Sequence, residues 1–477
     1  MRRAVLTLAV VGLVIVSGVC LCAALSEDAV PTRLRPPAGA RVTLFARGVP
    51  NARFLRFTSA GDLLVSQPRE GRIVRLAADR DGDGRSDGQS VVLSGLNRPH
   101  GLELYGQWLY VAETDAVGRA PFDPASGSAT GPFERVVTGI PGGGGHWTRT
   151  LRYGPDGWFY LSIGSSCNVC LEQDARRAAI IRFRPDGSGQ ETFATGLRNA
   201  VGFDWRPEDG QLYATDNGRD LLGDDFPPCE LNLVRKGGFY GWPVANGDRV
   251  PDPDFGKGQE ARIAASIPPV HGFRPHNAPL GITFLRGQAV PEAYRGAAIV
   301  ALHGSWNRTH KDGYKVVSLH WSDDGIEERD FLTGFLGASD DDVIGRPVDV
   351  VEGPDGAVYV SDDAGGAIYR VAWGGAAAGK ATAVADNTAR ERETAEFSVE
   401  AIARGKALYE RSACAGCHEA EHAPPGVVAR RLALLSRKYD AVSLASYLKT
   451  PNPPMPAFPF SDAERADLAA FLLTLHP

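Results

Sequence analysis

The sequence has no excess of basic charge. Its 51 lysines and arginines face 57 acidic residues for a formal net charge of −6, so no basic face for nucleic acid is on offer. Methionine is almost missing, at Met1 and Met455 only, which leaves Met455 as the single internal thioether available to a metal. Behind the first thirty residues no further apolar run of membrane-spanning length occurs, and the chain reads as globular. Cysteine is sparse as well: two of the seven lie in the leader, and Cys167, Cys170, Cys229, Cys414 and Cys417 remain to be explained. What is plentiful is apolar residue, 43%, enough for proper cores, and 477 residues exceed one ordinary core, so two domains are expected.

Residues 1–30 begin with two arginines, continue through about twenty apolar residues and end acidic, the pattern of an export signal or an uncleaved N-terminal anchor. Cys22-Ala23-Ala24 offers a small-x-small cleavage site, and neither Cys20 nor Cys22 follows a convincing lipoprotein pattern. Both readings place the bulk of the chain outside the cytoplasm, in the periplasm or anchored to the outer face of the inner membrane, where cysteines meet oxidising conditions.

"RSACAGCHEAEH" carries Cys414, Cys417 and His418 at the C-x-x-C-H spacing of covalent haem attachment, two thioethers and an adjacent iron ligand. A disulfide followed by an unrelated histidine is the alternative. Met455 follows 37 residues after His418 in the proline-rich "TPNPPMPAF", which can present a sixth ligand rigidly. "AIARGKALYERSA", with Gly405 and Tyr409 one turn apart, reads as a helix. "SDAERADLAAFLLTLHP" reads as another, capped by Ser461, with a stripe of Leu468, Phe471, Leu472 and Leu475. Residues 397–477 thus resemble a small class I cytochrome c. Before them, residues 374–396 lack bulky residues and read as an alanine- and glycine-rich linker.

In front of the linker a tight turn and short apolar strand recur: "AGDLLVSQ", "YGQWLYVAE", "PDGWFYLSI", "EDGQLYATD", "RGAAIVALH", "PDGAVYVSD". The turn glycines Gly61, Gly106, Gly157, Gly210, Gly296 and Gly356 are spaced 45, 51, 53, 86 and 60 residues apart, one four-stranded blade each with an insertion after the fourth. The expected fold is mainly β: a six-bladed β-propeller over residues 40–373, without a helical segment of note, followed by a small all-α cytochrome c domain. Because the repeat is irregular, a pair of β-sandwiches is the competing arrangement.

Propeller loops gather around a central channel, so polar groups preceding strands are site candidates. "GIPGGGGHWTRTLRYGPDG" brings His146, "TGLRNAVGFDW" Arg198 and Asn199, and "ALHGSWNRTHKDGYKV" and "IGRPVDVVEGPDG" further cations. Together with "SSCNVC" these resemble the soluble quinoprotein sugar dehydrogenases, nearest their sorbosone and pyranose dehydrogenase branch. The resemblance implies pyrroloquinoline quinone (PQQ) as cofactor, with guanidinium clamps for its carboxylates and a Ca²⁺ at the quinone edge. It implies His146 as general base, Arg198 and Asn199 against the cofactor, the carbonyls of Gly218 and Arg219 as Ca²⁺ ligands, and Arg346 on a cofactor carboxylate or ring. The chain departs from the glucose-oxidising branch at His303, where a lysine is expected, and at Val348, where a second arginine is expected. Arg308 or Lys315 is the candidate replacement charge, and His100 is expected only to line the channel.

"DRDGDGRSD" places Asp79, Asp81, Asp83 and Asp87 at positions 1, 3, 5 and 9 of a calcium loop with Gly84 at the turn. Ser90 stands at position 12, so it is not a complete EF-hand. As a turn between two strands it would stiffen a blade, and a plain solvated acidic turn is the alternative. Cys167 and Cys170 are expected to bridge, leaving Cys229 unpartnered. These features add up to an exported PQQ- and Ca²⁺-dependent dehydrogenase of an aldose or related sugar aldehyde. Its fused haem c would accept electrons and deliver them to a downstream acceptor. Two alternatives stand beside it: a non-catalytic sugar- or protein-binding propeller tethered to an electron carrier, and a Ca²⁺-dependent lactonase, which would need carboxylates rather than arginines in its channel.

Overall fold

The structure, a computed structural model, describes residues 30–374 and, with interruptions between 420 and 457, 397–476. The expected leader and all but the first residue of the expected linker therefore lie outside the described residues.

Six blade sheets make the first body, antiparallel throughout except where Gly238–Phe239 adds in parallel to the outer strand of blade three. In the first blade the strands Leu55–Phe57, Leu63–Gln67, Arg72–Leu76 and Gln89–Leu93 run outward in chain order. The pattern repeats from inner strands beginning at Leu102, Leu151, Ala200, Pro279 and Pro347. The sixth blade is completed by the chain's own start: Ala40–Arg47 pairs with Ala367–Trp373, Ala40 opposite Trp373 and Arg47 opposite Ala367. Closing the ring this way gives the N-terminal strand a partner and joins the two ends of the domain.

The repeated glycines explain the regularity. Gly61, Gly106, Gly157, Gly210, Gly296 and Gly356 each sit in the turn between the first and second strand of a blade, and all have positive φ (56° to 86°). Only glycine enters that region without strain, so one such residue marks each blade. The long spacing after Gly210 is an insertion between the third and fourth strands of blade four. It holds a short hairpin (Ala245–Asn246 with Val250–Pro251) and a helix, α1 (Glu260–Ala265). The propeller is thus not free of helix, as expected from sequence, although α1 buries only Ile263.

Between blades the core is aromatic and aliphatic, for example Tyr110, Phe159 and Phe183 with Leu151, Leu161 and Ile181 between blades two and three. Along the channel Phe54, Val201, Leu280 and Val348, one from each of four blades, form a separate apolar cluster. Val348 is fully buried in that cluster, where an arginine would place a charge among apolar side chains.

The second body is helical. α2 (Val399–Arg411) starts at Ser398, whose hydroxyl accepts from Ala401 N, and α5 (Asp462–Leu475) starts at a Ser461/Glu464 capping box; α3 (Ala415–His418) and α4 (Ala441–Tyr447) lie between them. Gly405 is buried where α2 crosses α5, and a Cβ there would collide with the backbone of Asp467. One turn on, Tyr409 packs on Phe471 (5.6 Å between ring centres), and Arg404 pairs with Asp467 at 2.7 Å across the crossing. Leu468, Phe471 and Leu472 are buried as the stripe predicts; Leu475, at the frayed helix end, is exposed. None of the described helices is long and apolar enough to cross a membrane.

Candidate active site

Each inner strand starts at the same face of the ring, and the residue two positions before it occupies an equivalent place. There stand Arg53, His100, Arg149, Arg198 and Asn277, with Arg346 one position later in blade six. Sequence reasoning had found His100, Arg198 and Arg346 and missed Arg53, Arg149 and the neighbouring Arg177. The distance from these residues to the turn glycine of their blade varies from 6 (His100 to Gly106) to 19 (Asn277 to Gly296), so the glycine repeat that marks the blades does not mark this register.

His146 arrives from the glycine loop. Gly144 has φ +91°, and a Cβ on it would collide with the backbone of Ser166, so this close approach needs glycine. The His146 Nδ1 lies 2.9 Å from both the carbonyl and the hydroxyl oxygen of Ser165. A carbonyl only accepts, so Nδ1 carries the proton and Nε2 keeps the lone pair. Burial and the Arg198 guanidinium hold this imidazole neutral, lowering its pKa to about 3. Asn199 is the other near neighbour: a Cβ on Gly164 would lie 2.6 Å from both His146 Cβ and Asn199 Oδ1. That buried Oδ1 has no hydrogen-bond partner among the described residues.

The guanidinium groups divide into two kinds. Arg198 is saturated: Nε donates to Asn168 O (2.9 Å), Nη1 to the carbonyls of Asn217 and Gly218 (3.2 and 2.9 Å), and Nη2 to Asn168 Oδ1 and Asp220 (both 2.8 Å). Asp216, buried and raised to about 7 by desolvation, receives the backbone N–H groups of Arg198 and Asn199 (2.8 and 2.6 Å). Arg149, Arg177 and Arg346, by contrast, hydrogen-bond only to backbone carbonyls. Burial and the charge of Arg177 lower the pKa of Arg149 to about 9, which measures how poorly its charge is compensated.

His303 donates Nε2–H to Asp363 at 3.0 Å, and Asp363 also takes Arg53 at 2.8 Å. With its carboxylate already matched by Arg53, His303 stays neutral, lowered to about 4 mainly by burial. The candidate replacement charges are committed elsewhere. Lys315 pairs with Asp330 (2.6 Å), and Arg308 donates to the carbonyls of Asp224 and Pro275. His100 is fully buried between Phe54 (4.2 Å) and Trp147 (5.5 Å), as a channel-lining ring would be.

Of the acidic loop in blade one, oxygens of Asp79, Asp81 and Asp87 converge within 4.8 Å of one another, while Asp83 is not part of that group and accepts from Arg85 N. Gly218 O and Arg219 are near the site, but Gly218 O is already engaged by Arg198, and the Arg219 side chain makes a buried pair with Asp252 at 2.7 Å. Cys167 and Cys170 form a disulfide; Cys229 is buried in blade four with its thiol pushed up to about 11 by desolvation.

In the helical body Cys414 and Cys417 are not bridged to each other. Cys414, His418 and Met455 line one cavity of about 200 Å³, whose other walls are apolar and aromatic, Leu444, Leu448, Leu468 and Leu472 among them. A thioether anchor, an imidazole and a thioether ligand facing one apolar chamber suit a covalent haem. In the propeller mouth, the uncompensated guanidiniums and the orphan Asn199 Oδ1 suit a flat polyanion with carbonyl and amine edges, such as PQQ.

Comparison with known proteins agrees. Residues 400–472 match the family described as cytochrome C oxidase, cbb3-type, subunit III. An uncharacterised protein of Borreliella burgdorferi is 36% identical over 215 residues, covering 44% of this chain and 56% of its own. The pyrroloquinoline quinone-dependent pyranose dehydrogenase of Coprinopsis cinerea is 27% identical over 407 residues, 69% of this chain and 53% of that protein. The chain spans about half the length of the curated relatives it matches. The holo structure of the PQQ domain of a Coprinopsis cinerea pyranose dehydrogenase superposes with TM-score 0.61 at 25% identity, covering 71% of this chain and 97% of that one. Residues 35–226 and 257–374 match the family described as TrAA12-like, with most of the blade-four insertion falling in the gap, and by that match the chain belongs to the TrAA12-like family, joined to a cytochrome c-type domain.

Proposed function

We propose that this protein is an exported PQQ-dependent sugar dehydrogenase whose electrons pass to its own haem c. The observation that carries the reading is the pairing of a neutral imidazole, its Nε2 lone pair free of the proton, with Arg149, Arg177 and Arg346, guanidiniums whose hydrogen bonds go to backbone carbonyls rather than to carboxylates. Bound PQQ would supply a two-electron acceptor for the hydride of the sugar carbon. The chain's part is to bind and to move the proton. Arg149, Arg177 and Arg346 offset the cofactor's carboxylates, Asn199 offers its amide, and His146 Nε2 takes the hydroxyl proton as the carbon is oxidised. The arginine-rich mouth argues against a lactonase, which would need carboxylates there.

Ca²⁺ is proposed at the carbonyls of Gly218 and Arg219, with Arg198 releasing or sharing Gly218 O, and a structural Ca²⁺ at Asp79, Asp81 and Asp87, with Asp83 beside them. Cys414 and Cys417 would hold the haem, His418 and Met455 its iron. The substrate class is an aldose or related sugar aldehyde. A downstream acceptor would take the electrons in the periplasm, with residues 1–30 as the membrane anchor where the leader is retained.

The test is dye-linked oxidation of a sugar panel with and without added PQQ and Ca²⁺, on wild type and His146→Ala. The reading requires PQQ-dependent turnover in wild type and a loss of roughly 10²–10⁴-fold in the variant with PQQ still bound. Turnover indifferent to PQQ would reject it.

A further inference from the structure

The segment Ser165–Cys170 touches both halves of the site. Ser165 is fully buried, and its hydroxyl donates to the carbonyl of Cys167 at 2.7 Å, so its lone pairs are left to receive the His146 Nδ1–H at 2.9 Å. Three residues on, the backbone carbonyl of Asn168 accepts from Arg198 Nε (2.9 Å) and Trp242 Nε1 (3.3 Å). The Asn168 side-chain oxygen accepts from Arg198 Nη2 and from Asp220 N, both at 2.8 Å. One short loop of blade three therefore meets the catalytic histidine, the saturated arginine of blade four and the blade-four insertion. Its own backbone has no regular structure to hold it. Backbone bonds tie its start, Ser165 N to Arg198 O (2.8 Å) and Gly145 N to Ser166 O (3.1 Å), and Glu172 accepts from Ser166 N (2.6 Å) and Ser166 Oγ (2.8 Å); beyond Ser166 the bond between Cys167 and Cys170 closes the loop.

We propose that the Cys167–Cys170 disulfide loop is the positioning element of this site: through Ser165 it fixes which nitrogen of His146 carries the proton, and through Asn168 it fixes the place of Arg198. The proposal rests on the functional reading above. The physical logic is that a base works only when its lone pair is on the nitrogen that faces the substrate, and the tautomer of a neutral imidazole is set by what its other nitrogen meets. Without the bridge the loop can shift so that the Ser165 carbonyl, which demands an Nδ1–H, draws away from the ring, and the Ser165 hydroxyl, released from the Cys167 carbonyl, can turn its proton toward Nδ1. The Nε2–H tautomer then becomes competitive. Asn168 would lose its place as well, releasing the Arg198 fork, and with it the carbonyls of Asn217 and Gly218 that this fork now holds.

The test uses the full-length protein, first without PQQ, with ¹⁵N-labelled histidine and the His146 signals assigned through His146→Gln. Wild type should show a single tautomer, protonated at Nδ1 with an unprotonated Nε2. Ser165→Ala, which keeps the backbone carbonyl against Nδ1, should retain the Nδ1–H tautomer, and in the double variant Cys167→Ser/Cys170→Ser a mixed tautomer is expected. In the PQQ-loaded enzyme kcat should drop about tenfold with KM little changed, the size of effect typical for a group that orients a functional imidazole. Asn168→Ala should leave the tautomer intact and weaken PQQ binding, measured by titrating the apo protein with PQQ. Because the double variant can fail to fold, the same spectra are taken on folded wild type treated with a water-soluble phosphine. That reagent gives up two electrons to the disulfide and leaves as its oxide, one water supplying the oxide's oxygen and the protons of the two thiols, with circular dichroism checking that the fold survives. A single Nδ1–H tautomer and an unchanged PQQ affinity after reduction would overturn the proposal. Wild type that neither binds PQQ nor oxidises a sugar would overturn the functional reading alone, because the tautomer measurement needs neither.

Discussion

Lowering the pH is the sharpest perturbation this site allows. An unperturbed histidine with pKa near 6.5 is about 3% neutral at pH 5, whereas His146 with a pKa of about 3 is about 99% neutral there. The two cases differ roughly thirtyfold in available base. The cause is burial first and the Arg198 guanidinium second, so the value belongs to the folded mouth and not to the sequence around His146. Because the folded value lies below the unfolded one, the unfolded chain binds the extra proton first. The cost to the fold is absent above about pH 6.5, reaches about 2 kcal/mol at pH 5 and grows until His146 itself protonates near pH 3. The assay is titration of the His146 ring signals in the apo protein, followed by kcat/KM against pH in the loaded enzyme. The imidazole should stay neutral down to at least pH 4.5, and the rate should lack the thirtyfold fall that an ordinary histidine base would impose by pH 5. Bound anionic cofactor works in the opposite direction, raising the value by offsetting Arg198, so the apo titration is the decisive arm. A midpoint near 6.5 in the apo protein would refute the argument, since it would mean that the ring is solvated and distant from Arg198.

Two further outcomes follow from the same geometry. Met455→Ala should lower the haem potential and change the reduced spectrum, because a thioether favours Fe(II); an unaltered potential, read by redox titration, would assign the sixth ligand elsewhere. Arg198→Ala should destabilise the protein even without cofactor, by up to about 3–5 kcal/mol for a broken buried pair, since it removes the ion-pair partner of Asp220 and two of the donors to Asn168. A melting temperature equal to that of wild type would show that Arg198 is not structural.

The ring was legible because each blade spends one glycine at the same turn, a backbone demand that survives wherever the side chains drift. The cytochrome-like body was legible because covalent haem attachment fixes a spacing. α1 was not, since six residues with one buried side chain leave no periodic signal. Leu475 followed the helical stripe but fell outside its shelter, because the stripe is set by the helix and the shelter by where its partner ends.

The site was only half legible, and the reason lies in what a guanidinium can be asked to do. Residue type marks Arg198 and Arg149 alike as clamps for a carboxylate, and motif context favours Arg198. Only the partners separate them: all five N–H groups of Arg198 are spent on Asn168, Asn217, Gly218 and Asp220, while Arg149 has carbonyls alone around it. A saturated arginine builds a wall, and an uncompensated one makes a potential. The same distinction explains why the expected lysine is dispensable at position 303. Arg53 crosses from blade one to Asp363 of blade six, and that carboxylate also holds His303 from blade five. With Arg53 matched by Asp363, positive charge reaches the mouth from blades three and six through Arg149 and Arg346, and position 303 does not have to supply it. Charge delivered from such separate stretches of chain leaves no local motif, so it can be read only after the ring has closed.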